Sequence, residues 1–136
     1  MVVLAIMGVL VSIAAPTYQK AVEQSRVDIA AANLRTIWAA QRYYHLEYHV
    51  YASNWDALKF DRFSEAAVGV LELNVLSADS YYTYTISSNA DGSATASRVG
   101  STVYTGTLVI TSAGDNAGIV TGAIQISGIP SLSAGH

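Results

Sequence analysis

The stretch that decides the fold opens the sequence: Met1-Val2-Val3-Leu4-Ala5-Ile6-Met7-Gly8-Val9-Leu10-Val11-Ser12-Ile13-Ala14-Ala15-Pro16. Ten of its first thirteen side chains are Met, Val, Leu or Ile, and no charge appears before Lys20. Fully burying each such side chain is worth about 1.5–3 kcal/mol, so the ten together carry a preference of roughly 15–30 kcal/mol for a water-free setting. A soluble monomer cannot leave them in water. Residues 1–16 therefore belong in a bilayer, in the protein's own core, or against other copies of the chain. The run has the length of a signal-peptide apolar region and is short of the ~20 apolar residues of a complete membrane span.

The run reads as helix with two flaws. Gly8 costs about 1 kcal/mol relative to Ala in a helix interior. Pro16 has no N–H for the carbonyl of Ser12, and its ring crowds that turn at a cost of about 3 kcal/mol. The segment from Gly8 to Pro16 is thus a candidate kink or locally unwound stretch, with Ser12 placed to satisfy the freed backbone groups. Beyond it, Val27, Ala30, Leu34, Ile37, Trp38, Gln41, Tyr44 and Tyr48 recur at three- and four-residue steps and form one stripe. Lys20, Glu23, Arg26 and Arg35 are expected on the other faces. Residues 17–49 contain neither Gly nor Pro, so the helix is predicted to continue to about His49. At 1.5 Å per residue it would reach some 70 Å, far beyond the needs of one small domain, so its first part must protrude.

The remainder divides into a connecting segment and a sheet. Residues 50–80 read as a loop, with Ser53 as N-cap and Asp56 three places on beginning a short turn through Leu58. Phe60 and Phe63 would pack it down, and residues 65–77 fit either a buried strand or a short helix. From residue 81 the signals are β: strands over 81–88, 93–99, 102–111 and 118–126, with Asn89-Ala90-Asp91-Gly92 and residues 112–116 as turns. This predicts an α+β fold in which a meander of four antiparallel strands follows the helix. Residues 128–136 read as a terminal loop.

Composition narrows the functional classes. In 136 residues only 12% are charged, the net charge is −3, and basic residues are few and scattered, which argues against nucleic acid as a primary ligand. Residues 1–63 hold six Lys/Arg against five Asp/Glu, whereas residues 64–136 hold Arg98 alone against five acids. No cysteine is present, so there is no disulfide framework. No nucleophile–base arrangement, phosphate-cradling loop or paired catalytic carboxylates can be identified, and the chain is not expected to be an enzyme or to carry a cofactor. His45 and His49 are one helical turn apart with Glu47 between them, but no third ligand is identifiable and they read as ordinary helix-end residues, with no metal assigned. Trp38, Tyr43, Tyr44, Tyr48, Tyr51 and Trp55 form an aromatic-dense patch, read as core and interface packing. Ala30, Ala31, Ala32, Ala39 and Ala40 allow close approach of helices from neighbouring copies, or serve simply as good helix formers. Arg26, Asp28 and Arg35 are candidates for bridging copies, at under about 1 kcal/mol for an exposed pair.

A long helix, apolar then amphipathic, followed by a loop and an antiparallel sheet resembles the type IV pilin family. The residues that carry the resemblance are Met1 to Tyr18, with Gly8 and Pro16 at the family's spacing, and more weakly Tyr51-Ala52-Ser53-Asn54-Trp55-Asp56-Ala57-Leu58. The resemblance implies a helix packed by its C-terminal half against a four-stranded antiparallel sheet. It also implies a polymerisation core of Met1, Val2, Val3, Leu4, Ile6, Met7, Val9, Leu10, Val11 and Ile13, with Gly8 and Pro16 as the points where the helix melts. Family members begin, after processing, with a methylated aromatic residue and carry an acidic residue a few places on. Alignment on Gly8 and Pro16 puts that segment about six residues before Met1, so no residue here is assigned to it. Asp115 and Asn116 sit in a Gly-flanked turn of the kind that could hold Ca²⁺, which some related pseudopilins bind, but ordinary turn chemistry is the reading taken here and no metal is assigned.

The same resemblance implies a homopolymer. Subunits would wait in the inner membrane and be added at the base of an extracellular pilus, because releasing them into water would expose the whole apolar run. The implied partners are a prepilin peptidase, an assembly ATPase with its membrane platform, and an outer-membrane secretin. Two other readings stand beside a major pilin: a type II secretion pseudopilin forming a periplasmic piston, and a membrane-anchored binding domain that stays monomeric.

Overall fold

The structure, a computed structural model, describes residues 1–55, 58, 81–89, 91–112, 117–126 and 129–133. Helix α1 spans Val2–Tyr48 as one unbroken element of 47 residues that includes Pro16. The unwound alternative for Gly8 to Pro16 is therefore not the conformation seen. Ser12 does not serve the freed carbonyl as expected; its hydroxyl donates to the carbonyl of Val9 at 2.7 Å. The helix ends one residue before the expected limit. His49 adopts a left-handed conformation (φ 58°, ψ 17°) and its N–H bonds to the carbonyl of His45, which closes the last turn as a left-handed cap does.

The five strands are β1 (Tyr82–Ile86), β2 (Ala94–Arg98), β3 (Tyr104–Ile110), β4 (Val120–Ile126) and β5 (Ile129–Ser133). They pair antiparallel in chain order, β1-β2-β3-β4-β5. The first four lie inside the predicted segments. The fifth corrects the expectation of a terminal loop over 128–136 and of four strands in all. Gly128 and Pro130 are turn signals, and Pro cannot donate to a ladder in the middle of a sheet. At the sheet edge that restriction is relaxed, and β5 pairs Ile124 with Leu132 and Ile126 with Ile129 around a register shift.

Turn chemistry fixes the register. Asp91 Oδ1 accepts from the backbone N–H of Ser93 at 2.9 Å and from its hydroxyl at 2.6 Å, which sets the β1–β2 hairpin. The Ser93 hydroxyl holds the Asp91 carboxyl below its ordinary value against the opposing effect of burial, and the Ser93 backbone N–H adds a lesser lowering. Ser101 Oγ accepts from the N–H of Tyr104 at the start of β3. Gly106 and Gly122 sit within β3 and β4 at φ 134° and 95°, where a Cβ would collide with the carbonyl oxygens of Ala123 and Thr107 on the paired strand. Both positions require glycine because the positive φ disfavours a side chain and the paired strand leaves no room for one.

Alternation along the strands gives the sheet one buried face. Tyr82, Tyr84, Ala94, Ala96, Leu108, Ile110, Ile124 and Leu132 meet Val27, Ala30, Leu34, Ile37 and Ala40 of α1 in one core. The opposite face carries Thr83, Thr85, Thr95, Ser97, Thr105, Thr107 and Thr121, and the described strands put no charged side chain on that face. Only the C-terminal half of α1 packs against the sheet. The first buried residue of the helix is Glu23, and every residue from Met1 to Ala21 is exposed.

Candidate functional site

The protruding half of α1 is apolar on every side. Met1, Val2, Val3, Leu4, Ile6, Met7, Val9, Leu10, Val11 and Ile13, the residues expected to form a polymerisation core, all stand in open space at 55% relative exposure or more. A helix that is apolar all round is stable only when something apolar surrounds it. By length and composition α1 is sufficient to cross a membrane. Gly8 has nothing near its missing side chain and Pro16 lies on the same exposed stretch, so both flaws of the helix fall where the chain itself provides no packing.

Where α1 reaches the sheet, an ion cluster ties the two together. Arg98, at the end of β2, donates Nε to Oε1 of Glu23 at 2.6 Å and Nη2 to Oε2 at 3.3 Å, a forked pairing. Arg26, one turn along the helix, donates Nη1 to Oε2 of Glu23 at 3.0 Å. The side chains of Glu23 and Arg98 are 1% and 4% exposed, and that of Arg26 is 31% exposed. Burial alone would favour neutral Arg98, but the hydrogen bond and the negative charge of Glu23 outweigh it and hold the guanidinium more firmly protonated than usual. Arg98 also donates to the carbonyls of Tyr81 and Val99. The Tyr81 ring lies 3.9 Å from the Arg26 guanidinium carbon and 5.3 Å from that of Arg98.

This cluster corrects the placement of Glu23 and Arg26 on solvent-facing sides of the helix. Arg26 pairs within its own chain, and Asp28 accepts from Gln24 at 3.0 Å. The signal for Glu23 was present: it lies four residues before Val27 and extends the buried stripe by one step. Arg98, alone among the acids of the second half, was the one cation there able to match a buried carboxylate.

At the other end of the stripe the buried amide of Gln41 clamps the chain as it returns. Its Nε2 donates to the carbonyl of Ala52 at 3.0 Å, and its Oε1 accepts from the Ala52 N–H at 2.9 Å. The aromatic patch closes over this clamp. Trp38 and His45 each stack on Tyr51, with centroids 6.2 and 4.4 Å apart, and Trp38, Tyr44 and Trp55 pack against the core. Tyr43 and Tyr48 remain exposed, so the stripe ends at Tyr44 rather than at Tyr48. Ala30, Ala31 and Ala40 are buried within the chain's own core, while Ala32 and Ala39 face outward. Close helix approach to another copy is therefore open to the second pair alone.

Among the described residues no group of three or more His, Cys, Asp and Glu is arranged to hold a metal ion. The expected N-cap turn at Ser53 is present in part, with the N–H of Leu58 bonding to the carbonyl of Asn54 at 3.3 Å; Asp56 lies outside the described residues. Asp115, Asn116, Phe60, Phe63 and the segment 65–77 also lie outside them. In comparisons with known protein families, curated proteins and solved structures, nothing matches the chain.

Proposed function

We propose that the chain is a structural subunit of a filament of the type IV pilus kind, a major pilin that polymerises through residues 1–16. The observation that carries this reading is the all-round exposure of the apolar half of α1, beside a core that forms among the described residues without it. A bilayer and a bundle of such helices are comparably dry, so transfer from one to the other is close to neutral. Release into water would forfeit the roughly 15–30 kcal/mol of burial. Growth from the membrane, at the filament base, avoids that cost. Gly8 and Pro16 would let the helix open locally when neighbours stretch it, since Pro16 leaves one intrahelical bond unmade. On this reading the inner membrane is the subunit's station before assembly and the extracellular fibre its destination.

Electron microscopy of material sheared from producing cells tests the proposal, with mass spectrometry of the fibre fraction. Long fibres containing this chain are the expected result. Short or absent fibres with the chain retained in a periplasmic assembly would replace the reading by a pseudopilin. A monodisperse membrane-bound monomer would leave residues 1–16 as a simple anchor.

A further inference from the structure

We propose that the cleft where α1 leaves the sheet is a headgroup site for one anionic phospholipid, occupied while the subunit waits in the membrane. The cavity, about 180 Å³, is lined by Tyr18, Gln19, Val22, Glu23, Arg26 and Tyr104. This inference rests on the reading that residues 1–16 lie in a bilayer before assembly.

Depth is the first argument. The apolar run ends at Pro16 and the first charge is Lys20. Each headgroup layer is about 5–8 Å thick, half the difference between a ~30 Å hydrocarbon core and a 40–45 Å bilayer. Five helical residues cover about 7 Å, so Tyr18 to Val22 cross that layer when the apolar run is immersed. Tyr18, at 72% exposure, is an aromatic side chain with a polar tip at the level where such residues collect. The cavity opens along this same stretch of helix.

Charge is the second. Glu23 meets both Arg98 and Arg26, so its carboxylate does not repel an anion, and the two arginines less one glutamate leave the cluster at +1. Arg98 is enclosed and its donors are directed to Glu23, Tyr81 and Val99. The surplus charge therefore reaches the cavity through Arg26, which lines it, gives one N–H to Glu23 and holds its guanidinium over the Tyr81 ring, with 31% of its side chain still exposed. Guanidinium forks match phosphate oxygens in geometry. Tyr18 and Tyr104, each with a phenol, line the same cavity. A second copy of the chain would bring a side chain to this cleft, whereas the bilayer brings a phosphate at the right depth to every subunit.

The test uses the full chain in neutral detergent, with native mass spectrometry of bound phosphatidylglycerol against phosphatidylcholine. Wild type is expected to retain one phosphatidylglycerol in preference. Arg26→Gln should weaken that retention about tenfold or more, the value of a charge-assisted bond, and Arg26→Lys should restore part of it. Lys20→Gln removes the same charge at the same depth from outside the cleft, and should cost no more than about fivefold. Thermal melting of each variant separates loss of the site from loss of the fold, with Gln19→Ala as a cleft variant that leaves the ion cluster intact and still weakens retention. Equal losses for Arg26→Gln and Lys20→Gln would overturn the proposal, leaving only diffuse attraction. Equal binding of inorganic phosphate would overturn a lipid site, and an effect of Arg26→Gln on self-association without any on lipid retention would assign the cleft to a second copy. Flotation of all variants with vesicles separately checks membrane insertion, which the proposal expects to be unchanged.

Discussion

Glu23→Ala is expected to lower the melting temperature of the full chain in detergent by roughly 10–25 °C, from a loss of about 3–5 kcal/mol. The size follows from what remains behind. Arg98 is 4% exposed and would be left buried with its forked partner removed, while Arg26 would lose the bond that orients it over Tyr81. Breaking one member of a buried pair costs far more than the pair contributes, because the surviving ion stays desolvated without compensation. Replacing both partners by apolar residues, as in Glu23→Leu with Arg98→Met, should recover most of the loss. Calorimetry or circular dichroism on the wild type and these two variants gives the comparison. A change below about 1 kcal/mol for Glu23→Ala, the range of an exposed pair, would show that the cluster is not buried in solution.

Leu10→Asp is expected to abolish fibres while leaving the melting of the head within about 0.5 kcal/mol of wild type, the range of surface substitutions. Leu10 is 62% exposed and makes no part of the core, so the isolated fold has nothing to lose. In a filament or a bilayer the same side chain must be dry. A carboxylate at the centre of a membrane helix costs about 2.5–3.5 kcal/mol in insertion, and in a homopolymer the penalty recurs in every subunit. Electron microscopy of sheared material, paired with a melting curve, reads both halves of the prediction. Normal fibre length and number would remove residues 1–16 from the polymer interface.

Much of the architecture was legible because long periodic signals are hard to mimic. The stripe from Val27 through Gln41 named the packed face of α1, and the absence of Gly and Pro over 17–49 carried the helix to within a residue of its observed end. The first four strands came from β-branched and aromatic runs between strong turn signals. β5 was hidden because Gly128 and Pro130 speak for a loop, and only its edge position makes a proline strand acceptable. The ion cluster was missed for a different reason. A charged residue at the rim of a helical stripe usually marks its solvent boundary, and only a cation seventy-five residues away in sequence makes burial of Glu23 tolerable. No local pattern contains that partner. The apolar run was plain from composition, but what surrounds it is a property of other molecules. A single chain displays the surface and not its cover.

That cover can be observed with one labelling experiment. The chain has no cysteine, so Leu10→Cys is a unique reporter in the middle of the apolar run, and Ser25→Cys is its exposed counterpart on the head-proximal helix. Both variants are assembled, sheared from cells and treated with a charged, water-soluble maleimide. Filament burial of residues 1–16 predicts that position 10 stays unlabelled in intact fibres and reacts fully once they are dissociated in denaturant. Rapid labelling of position 10 in intact fibres would contradict it.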